Sequence, residues 1–340
     1  MTISLSFLIV TIVIALAFDV VNGFHDAANS IATIVSTRVL TPQYAVLWAA
    51  FFNFVAMLIF APRVAETISR IIKIEMNESG FVYVVLVGLL AAIVWDLITW
   101  WFGLPTSSSH ALIGGLAGAG VAYAGWDVLR WNILLETIAF IVIAPLLGYI
   151  LGLILMFAVY WLCQNHRPST VNKFFSKGQF VSAAMYSIGH GANDAQKTMG
   201  IILALLIASG RFQKDTTLSL TNPDTLWIIL SCHLAIAMGT AMGGWRIVKT
   251  MGMKIVKLKP MGGFCAETAG AFTLFFATMF GIPVSTTHTI TGSIIGVGTV
   301  STHPSKIRWG IAANVIWSWI LTIPFTALLA AGLFLIFYHP

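Results

Sequence analysis

The stretch GLPTSSSHALIGG at residues 103–115 returns 178 positions later as GIPVSTTHTITGS at 281–293. Gly103, Pro105, Ser107, His110, Gly114, Gly118 and Gly120 recur as Gly281, Pro283, Ser285, His288, Gly292, Gly296 and Gly298. A proline ahead of a hydroxyl cluster disfavours continuation of the preceding helix, and Ser or Thr caps the helix that follows. Each copy therefore reads as a broken helix whose new N-terminus offers free N–H groups, a positive dipole end and hydroxyl donors, the elements of an anion site. Taken singly, either knot is equally a capped kink whose glycines pack helices in small-xxx-small fashion. Two matched copies favour a binding site where they converge, with Gly114, Gly118, Gly292 and Gly296 kept as packing residues.

The surroundings of both knots are apolar. The chain has 340 residues, 58% hydrophobic and 9% charged, with a mean hydropathy of +0.91, whereas a soluble domain carries about 25% charged residues. Hydrophobic runs long enough to cross a bilayer recur along the whole length, which defines an all-α polytopic membrane protein. Ten segments are expected, at about 3–22, 43–62, 80–102, 109–124, 132–162, 180–208, 225–245, 262–281, 288–301 and 308–337. The first lacks a basic leader and a small-residue cleavage site, so it reads as a span rather than a signal peptide. Cys163, Cys232 and Cys265 have no metal or redox spacing and imply no disulfide framework.

Placing alternate loops on one side sorts the charges. One side collects Arg38, Arg167, Lys173, Lys177, Arg246, Lys249, Lys254, Lys257, Lys259, Lys306 and Arg308, with no acid. The other holds Arg63, Arg70, Lys73, Arg130, Arg211 and Lys214, balanced by Glu66, Glu75, Glu78, Asp127, Asp215 and Asp224. The positive-inside rule makes the first side cytoplasmic and puts both termini outside, in a multi-pass plasma (inner) membrane protein. The net charge of +6 thus reports topology, not nucleic-acid binding.

Asp19, Asp26, Asp96, Glu136, Asp194, Glu267 and Lys197 are left at or near membrane depth. Such charges are costly unless they face a bundle interior or a wet cavity, so each is a functional candidate; Asp19 and Glu136, near segment ends, read as structural. Three of them, Asp26, Asp194 and Lys197, sit in a second repeat, at an offset of 168, where NGFHDAANSIATI (22–34) aligns with HGANDAQKTMGII (190–202) and Asp26 pairs with Asp194. Each half then runs in one order: Asp motif, two more spans, hydroxyl knot, long helix. Five crossings per half is an odd number, so the second copy enters the membrane upside down. The expected organisation is a first inverted repeat at 1–162, a cytoplasmic linker at 163–178 and a second inverted repeat at 179–340, with re-entrant helices at the knots. Inverted repeats of this kind are an architecture of secondary transporters, with substrate bound at the repeat interface.

Around Asp26 stand Asn22, Asn29 and Ser30, and around Asp194 stand Asn193, Gln196 and Thr198. Oxygens from Asp, Asn and unwound carbonyls suit a hard cation, and a buried Asp can also carry protons. A polar pair that merely locks two helices is the plainer alternative. His25 and His190 sit beside the Asp residues and titrate in the useful range. His110 and His288 follow the hydroxyls and either touch an anion or bond a nearby carbonyl. His166, His233, His303 and His339 receive no role.

These motifs resemble a known family. GFHDAANS and GHGANDAQK resemble the doubled GANDVANA-type signature of the PiT family of inorganic phosphate transporters, of the low-affinity bacterial and archaeal type. GLPTSSSH and GIPVSTTH resemble its paired loop motif, and the stretch from Gly243 to Thr268 its basic loop and glutamate helix. The resemblance implies symport of phosphate with sodium or protons and no enzymatic activity or cofactor. It assigns phosphate to Ser107, Ser108, Ser109, Ser285, Thr286 and Thr287, joined by Thr106, Gln196 and Lys197; the Lys197 ammonium either helps attract phosphate or neutralises a carboxylate. Coupling falls to Asp26, Asn29, Asn193, Asp194 and Glu267, joined by His25, with sodium held at Asp26, Asn29, Asn193 and Asp194. Partners would be phosphate, the coupling cation, lipid and a second copy in a homodimer. The chain departs from the sodium-coupled pattern at Phe24–His25 and at Gln196–Lys197; the lost sodium ligand and gained histidine tilt the reading toward protons. Proton-coupled relatives can carry phosphate as a metal–phosphate complex.

Two rival functions use the same residues. A sulfate permease needs donors only, because sulfate is fully deprotonated, whereas phosphate also benefits from a carboxylate acceptor. An ion channel would use the hydroxyl loops as a filter, but channels build filters from identical subunits around an axis. An enzyme is disfavoured because no nucleophile set or nucleotide motif is spaced as one.

Overall fold

The structure, a computed structural model, describes residues 4–72, 79–301 and 307–338. Lys73, Glu75, Glu78, His303, Lys306 and His339 lie outside the described residues. The first half contains α1 (Leu5–Ser36), α2 (Pro42–Val55), α3 (Arg63–Ser69), α4 (Ser79–Phe102), α5 (Ser108–Ala124) and α6 (Trp131–Cys163). The second contains α7 (Pro168–Ala208), α8 (Pro223–Met242), α9 (Trp245–Lys249), α10 (Pro260–Met279), α11 (Thr286–Ser301) and α12 (Trp309–Phe337), with a π-helical turn at Thr250–Ile255 after α9. No strand occurs among the described residues. Each half follows the same sequence of types: a long helix, a medium one, a short one, a helix ending at the break, a helix starting after it, and a long closing helix.

Among the described residues, five helices, α1, α4, α6, α8 and α12, are long and apolar enough to cross a membrane. A sixth crossing exists if α2 and α3, bent by 83°, count together. The remaining expected segments are helical but fall short for identifiable reasons. The 17 residues of α5 and 16 of α11 extend only about 25 Å at the α-helical rise, less than a bilayer core of about 30 Å. In α7 the middle is polar, carrying His190, Asp194 and Lys197.

Both Asp motifs correct an expectation. They lie inside unbroken helices, because α1 and α7 run straight through 22–34 and 190–202, so no unwound carbonyls are available there. Alanines at 27, 28, 192 and 195 favour the helix. Residues 168–178, expected as linker, form the first turns of α7.

Packing is exchanged between the halves. Within each half the two helices flanking a break form an antiparallel hairpin: Gly80 and Gly88 of α4 face Tyr123 and Gly115 of α5, and Gly262 and Gly270 of α10 face Val297 and Ile290 of α11. The short helix after each break then packs most extensively on the closing helix of the other half, α5 on α12 and α11 on α6. Glycines allow the close approach. A Cβ at Gly292 or Gly296 would run into the carbonyls of Pro145 and Tyr149, and one at Gly118 into that of Ala327. The outer faces of α6 and α12 are apolar and open, with Val142, Phe157 and Leu328 all exposed; a surface of this kind belongs in lipid.

Overpacking a tight helix contact costs about 1–3 kcal/mol. Gly296→Val is therefore expected to lower the melting temperature of the purified protein, whereas Gly332→Val, with nothing near its Cβ position, should leave it unchanged.

Candidate functional site

The two breaks are built alike. Gly103 and Gly281 turn the chain with φ of 66° and 71°, a region glycine enters without steric cost. Ser107 Oγ then accepts the His110 N–H at 3.2 Å and Ser285 Oγ accepts the His288 N–H at 3.2 Å, capping α5 and α11. Each break is held by the short helix of the opposite half. Arg246 donates to the Trp101 carbonyl (2.6 Å) and Thr250 to that of Gly103 (2.9 Å). Arg63 donates to the Met279 carbonyl (2.7 Å) and Thr67 to that of Gly281 (2.8 Å).

The breaks deliver hydroxyls to the two Asp motifs. Thr286 Oγ1 lies 3.4 Å from Asp26 Oδ2 and 3.0 Å from Asp194 Oδ2, so one hydroxyl bridges both carboxylates. Ser108 and Thr287 also reach Asp26, at 3.5 and 3.4 Å. On the Asp26 side, His25 Nδ1 meets Oδ1 at 2.8 Å while its Nε2 meets Thr99 Oγ1 at 3.1 Å and Thr106 Oγ1 at 3.4 Å. On the Asp194 side, Lys197 Nζ donates to Oδ1 at 2.6 Å, to Ser109 Oγ at 2.5 Å and to the Val284 carbonyl at 2.8 Å. His190 Nε2 lies 3.2 Å from Asp194 Oδ2. Asp26, His190 and Asp194 each present a ligand atom within 4.8 Å of the others, a set able to hold a cation. Every one of these side chains is at most 3% exposed, so the cluster is sealed from solvent.

The expected residues separate into three groups. Asp26, His25, Asn29, Thr106, Ser108, Ser109, Asp194, Lys197, Thr286 and Thr287 are brought together, Asn29 through its amide donating to Thr286 and Thr287 at 3.2 and 2.9 Å. Ser107 and Ser285 serve as caps, and Asn193 pins the second break by accepting the Val284 N–H (3.3 Å) and donating to the Ile282 carbonyl (3.3 Å). Two residues are engaged elsewhere. Gln196 has both ends on the backbone before and within α3, donating to the Ala61 carbonyl and accepting from the Val64 N–H, which removes it from the hydroxyl cluster. Glu267 occupies a nest of its own, accepting from Thr33 (2.5 Å), Gln179 (3.0 Å) and Ser182 (2.5 Å).

His110 and His288 turn toward each other, ring centroids 4.8 Å apart, and His288 stacks on Trp319 at 3.8 Å. They pack the backs of the knots. Thr99, Gln179, Ser182 and Tyr186, whose hydroxyl holds the Thr286 carbonyl at 2.8 Å, were not legible as site residues. Nothing in their local sequence distinguishes them from polar residues lining any helix pair.

A buried cluster of paired carboxylates, hydroxyls and an ammonium, inside a bundle of apolar helices duplicated in one chain, defines a helical membrane transport protein. The chain belongs to the Phosphate transporter family, which it matches over residues 22–330. It is 53% identical over 332 residues to a probable low-affinity inorganic phosphate transporter of Rhizobium meliloti (strain 1021), covering 97% of this chain and 96% of that one. A counterpart with the same description in Bacillus subtilis (strain 168) is 43% identical over 333 residues, covering 97% of each. A solved structure of a sodium-dependent phosphate transporter shares the fold with a TM-score of 0.82, at 23% identity and covering 98% of this chain and 99% of that one.

Removing the bridging hydroxyl leaves two buried carboxylates short of a donor, a loss worth about 1–3 kcal/mol. Thr286→Val should lower the melting temperature clearly. Thr289→Val, whose hydroxyl bonds the carbonyl of the capping residue Ser285 one turn back, should change it little.

Proposed function

We propose that this protein takes up inorganic phosphate by symport, driven by a proton or sodium gradient, with the proton favoured. The observation that carries the reading is the bridge of Thr286 between Asp26 and Asp194, set between two capped helix N-termini. Hydroxyls and helix ends supply donors to an oxyanion. The carboxylates supply what sulfate has no use for, an acceptor for a proton on the substrate, and a place for the cation that must accompany it. An anion cannot be buried beside two carboxylates unless positive charge arrives with it, which is the physical basis of cotransport. The imidazole at Asp26 and the ammonium at Asp194 are the grounds for preferring the proton. Relatives described as inorganic phosphate transporters support the choice of substrate.

The architecture proposed is two inverted-topology repeats, 1–162 and 179–340, of five crossings each, in the plasma membrane with both termini outside. The repeated order of helix types and the exchanged packing of α5 and α11 support it. Because the cluster is sealed, substrate reaches it only when one break withdraws, in keeping with alternating access.

The test is labelled phosphate uptake into proteoliposomes with sodium and pH gradients imposed separately. Uptake is expected to be concentrative, to collapse with the gradient and to persist under excess sulfate. Asp26→Asn and Asp194→Asn should each abolish accumulation in a protein that still folds. Normal accumulation by both variants would remove the coupling role, and suppression by sulfate would make the protein a sulfate permease.

A further inference from the structure

The offset of 168 that aligns Asp26 with Asp194 also aligns Asn29 with Lys197, and the offset of 178 aligns Thr287 with Ser109. The structure honours both correspondences. Asn29 Nδ2 donates to Thr287 Oγ1 at 2.9 Å, and Lys197 Nζ donates to Ser109 Oγ at 2.5 Å. The two half-sites then diverge. In the first, the Asn29 amide oxygen is buried without a hydrogen-bond partner among the described residues. In the second, the ammonium sits among a hydroxyl, a carboxylate and a peptide carbonyl, from Ser109, Asp194 and Val284.

Those three oxygens come from three separate elements: α5, α7 and the break before α11. Hydroxyl, carboxylate and carbonyl oxygens converging from different segments are the donor set of a hard cation site. An ammonium has three donors and no acceptor, so the three oxygens satisfy it completely. At 1% exposure Lys197 has no access to water. A lysine recruited only to meet an incoming anion would keep a donor free for it.

We propose that the Lys197 ammonium permanently fills the cation pocket of the second half, as a tethered replacement for a mobile cation. Only the first half, at Asp26 and Asn29, is then left to exchange a cation with solvent. The protein carries one mobile cation fewer per turnover than a chain with asparagine in both half-sites. This inference rests on the cotransport reading for its consequence in transport, but not for the pocket itself.

Lys197→Asn supplies to the second half the residue that Asn29 supplies to the first, and Lys197→Met removes the charge without offering an oxygen. The first measurement is the melting temperature of purified protein against sodium, with choline holding ionic strength constant and no phosphate present. Sodium should raise the melting temperature of Lys197→Asn by several degrees more than that of the wild type, and that of Lys197→Met no more than the wild type. Should Lys197→Asn not fold, Lys197→Gln carries the same test. In proteoliposomes the apparent order of phosphate uptake in sodium should rise by one in the asparagine variant, whatever it is in the wild type. An asparagine variant with no added sodium response, or a methionine variant that responds equally, overturns the proposal. Wild-type protein that takes up no phosphate while the variant keeps its added sodium stabilisation would remove the substrate reading and leave the tether standing.

Discussion

Two carboxylates held together inside a bundle of apolar helices are the constraint around which the rest is arranged. Asp26 and Asp194 share the single hydroxyl of Thr286, and one O–H cannot fully serve two carboxylates. In apolar surroundings the pair would be prohibitively costly without compensation. Compensation comes from every direction: two helix N-termini, the hydroxyls of Ser108 and Thr287, the imidazole of His25 and the ammonium of Lys197. Even so the donors are few for the lone pairs present. The cluster is thus left with carboxylate lone pairs to spare.

No half of the chain makes this cluster alone. Thr286 and Thr287 belong to the second half and reach Asp26 in the first; Ser109 belongs to the first and reaches Lys197 in the second. The same exchange governs the packing, since α5 lies on α12 and α11 on α6. Tight glycine contacts make each of these pairs stiff, so displacement of one pair against the other would move hydroxyls relative to carboxylates. The hydroxyls and the carboxylates of the cluster are thus divided between the two halves.

Much of this was written in the sequence, and the part that was not is instructive. The paired knots, the paired Asp motifs and the apolar composition are local patterns, and their duplication turned ambiguous features into a site. Capping by Ser107 and Ser285 follows from position alone, and the bend of α2 into α3 falls at Pro62, where a proline disfavours helix continuation. Cation sites often take backbone carbonyls, which makes unwinding at the Asp motifs the expectation; the alanine-rich context keeps the helices intact. The motif places Gln196 two residues beyond Asp194, and helical geometry turns residues at that spacing about 200° apart. Its amide faces α3 while Lys197, three residues from Asp194, faces the carboxylate. Glu267 is acidic and buried, as expected, yet the partners that define its nest come from α1 and α7, far away in sequence.

The departures from symmetry carry as much information as the symmetry. Lys197 stands opposite Asn29, and Glu267 corresponds by the offset of 178 to Leu89. The two latches also differ. Both use one guanidinium and one hydroxyl on the carbonyls flanking a break, but Arg246 additionally lies over Trp100 and Trp101, at 5.1 and 4.3 Å from their ring centroids. Arg63 has no such ring among the described residues. A cation–π contact is worth about 0.5–2 kcal/mol, comparable to a hydrogen bond of the latch itself. The closure at the first break is therefore held more firmly than the closure at the second, although the hydrogen bonds that make them are the same. A duplicated frame supplies two breaks of the same construction. Unequal charges and unequal latches, placed on that frame, are what make the two breaks different.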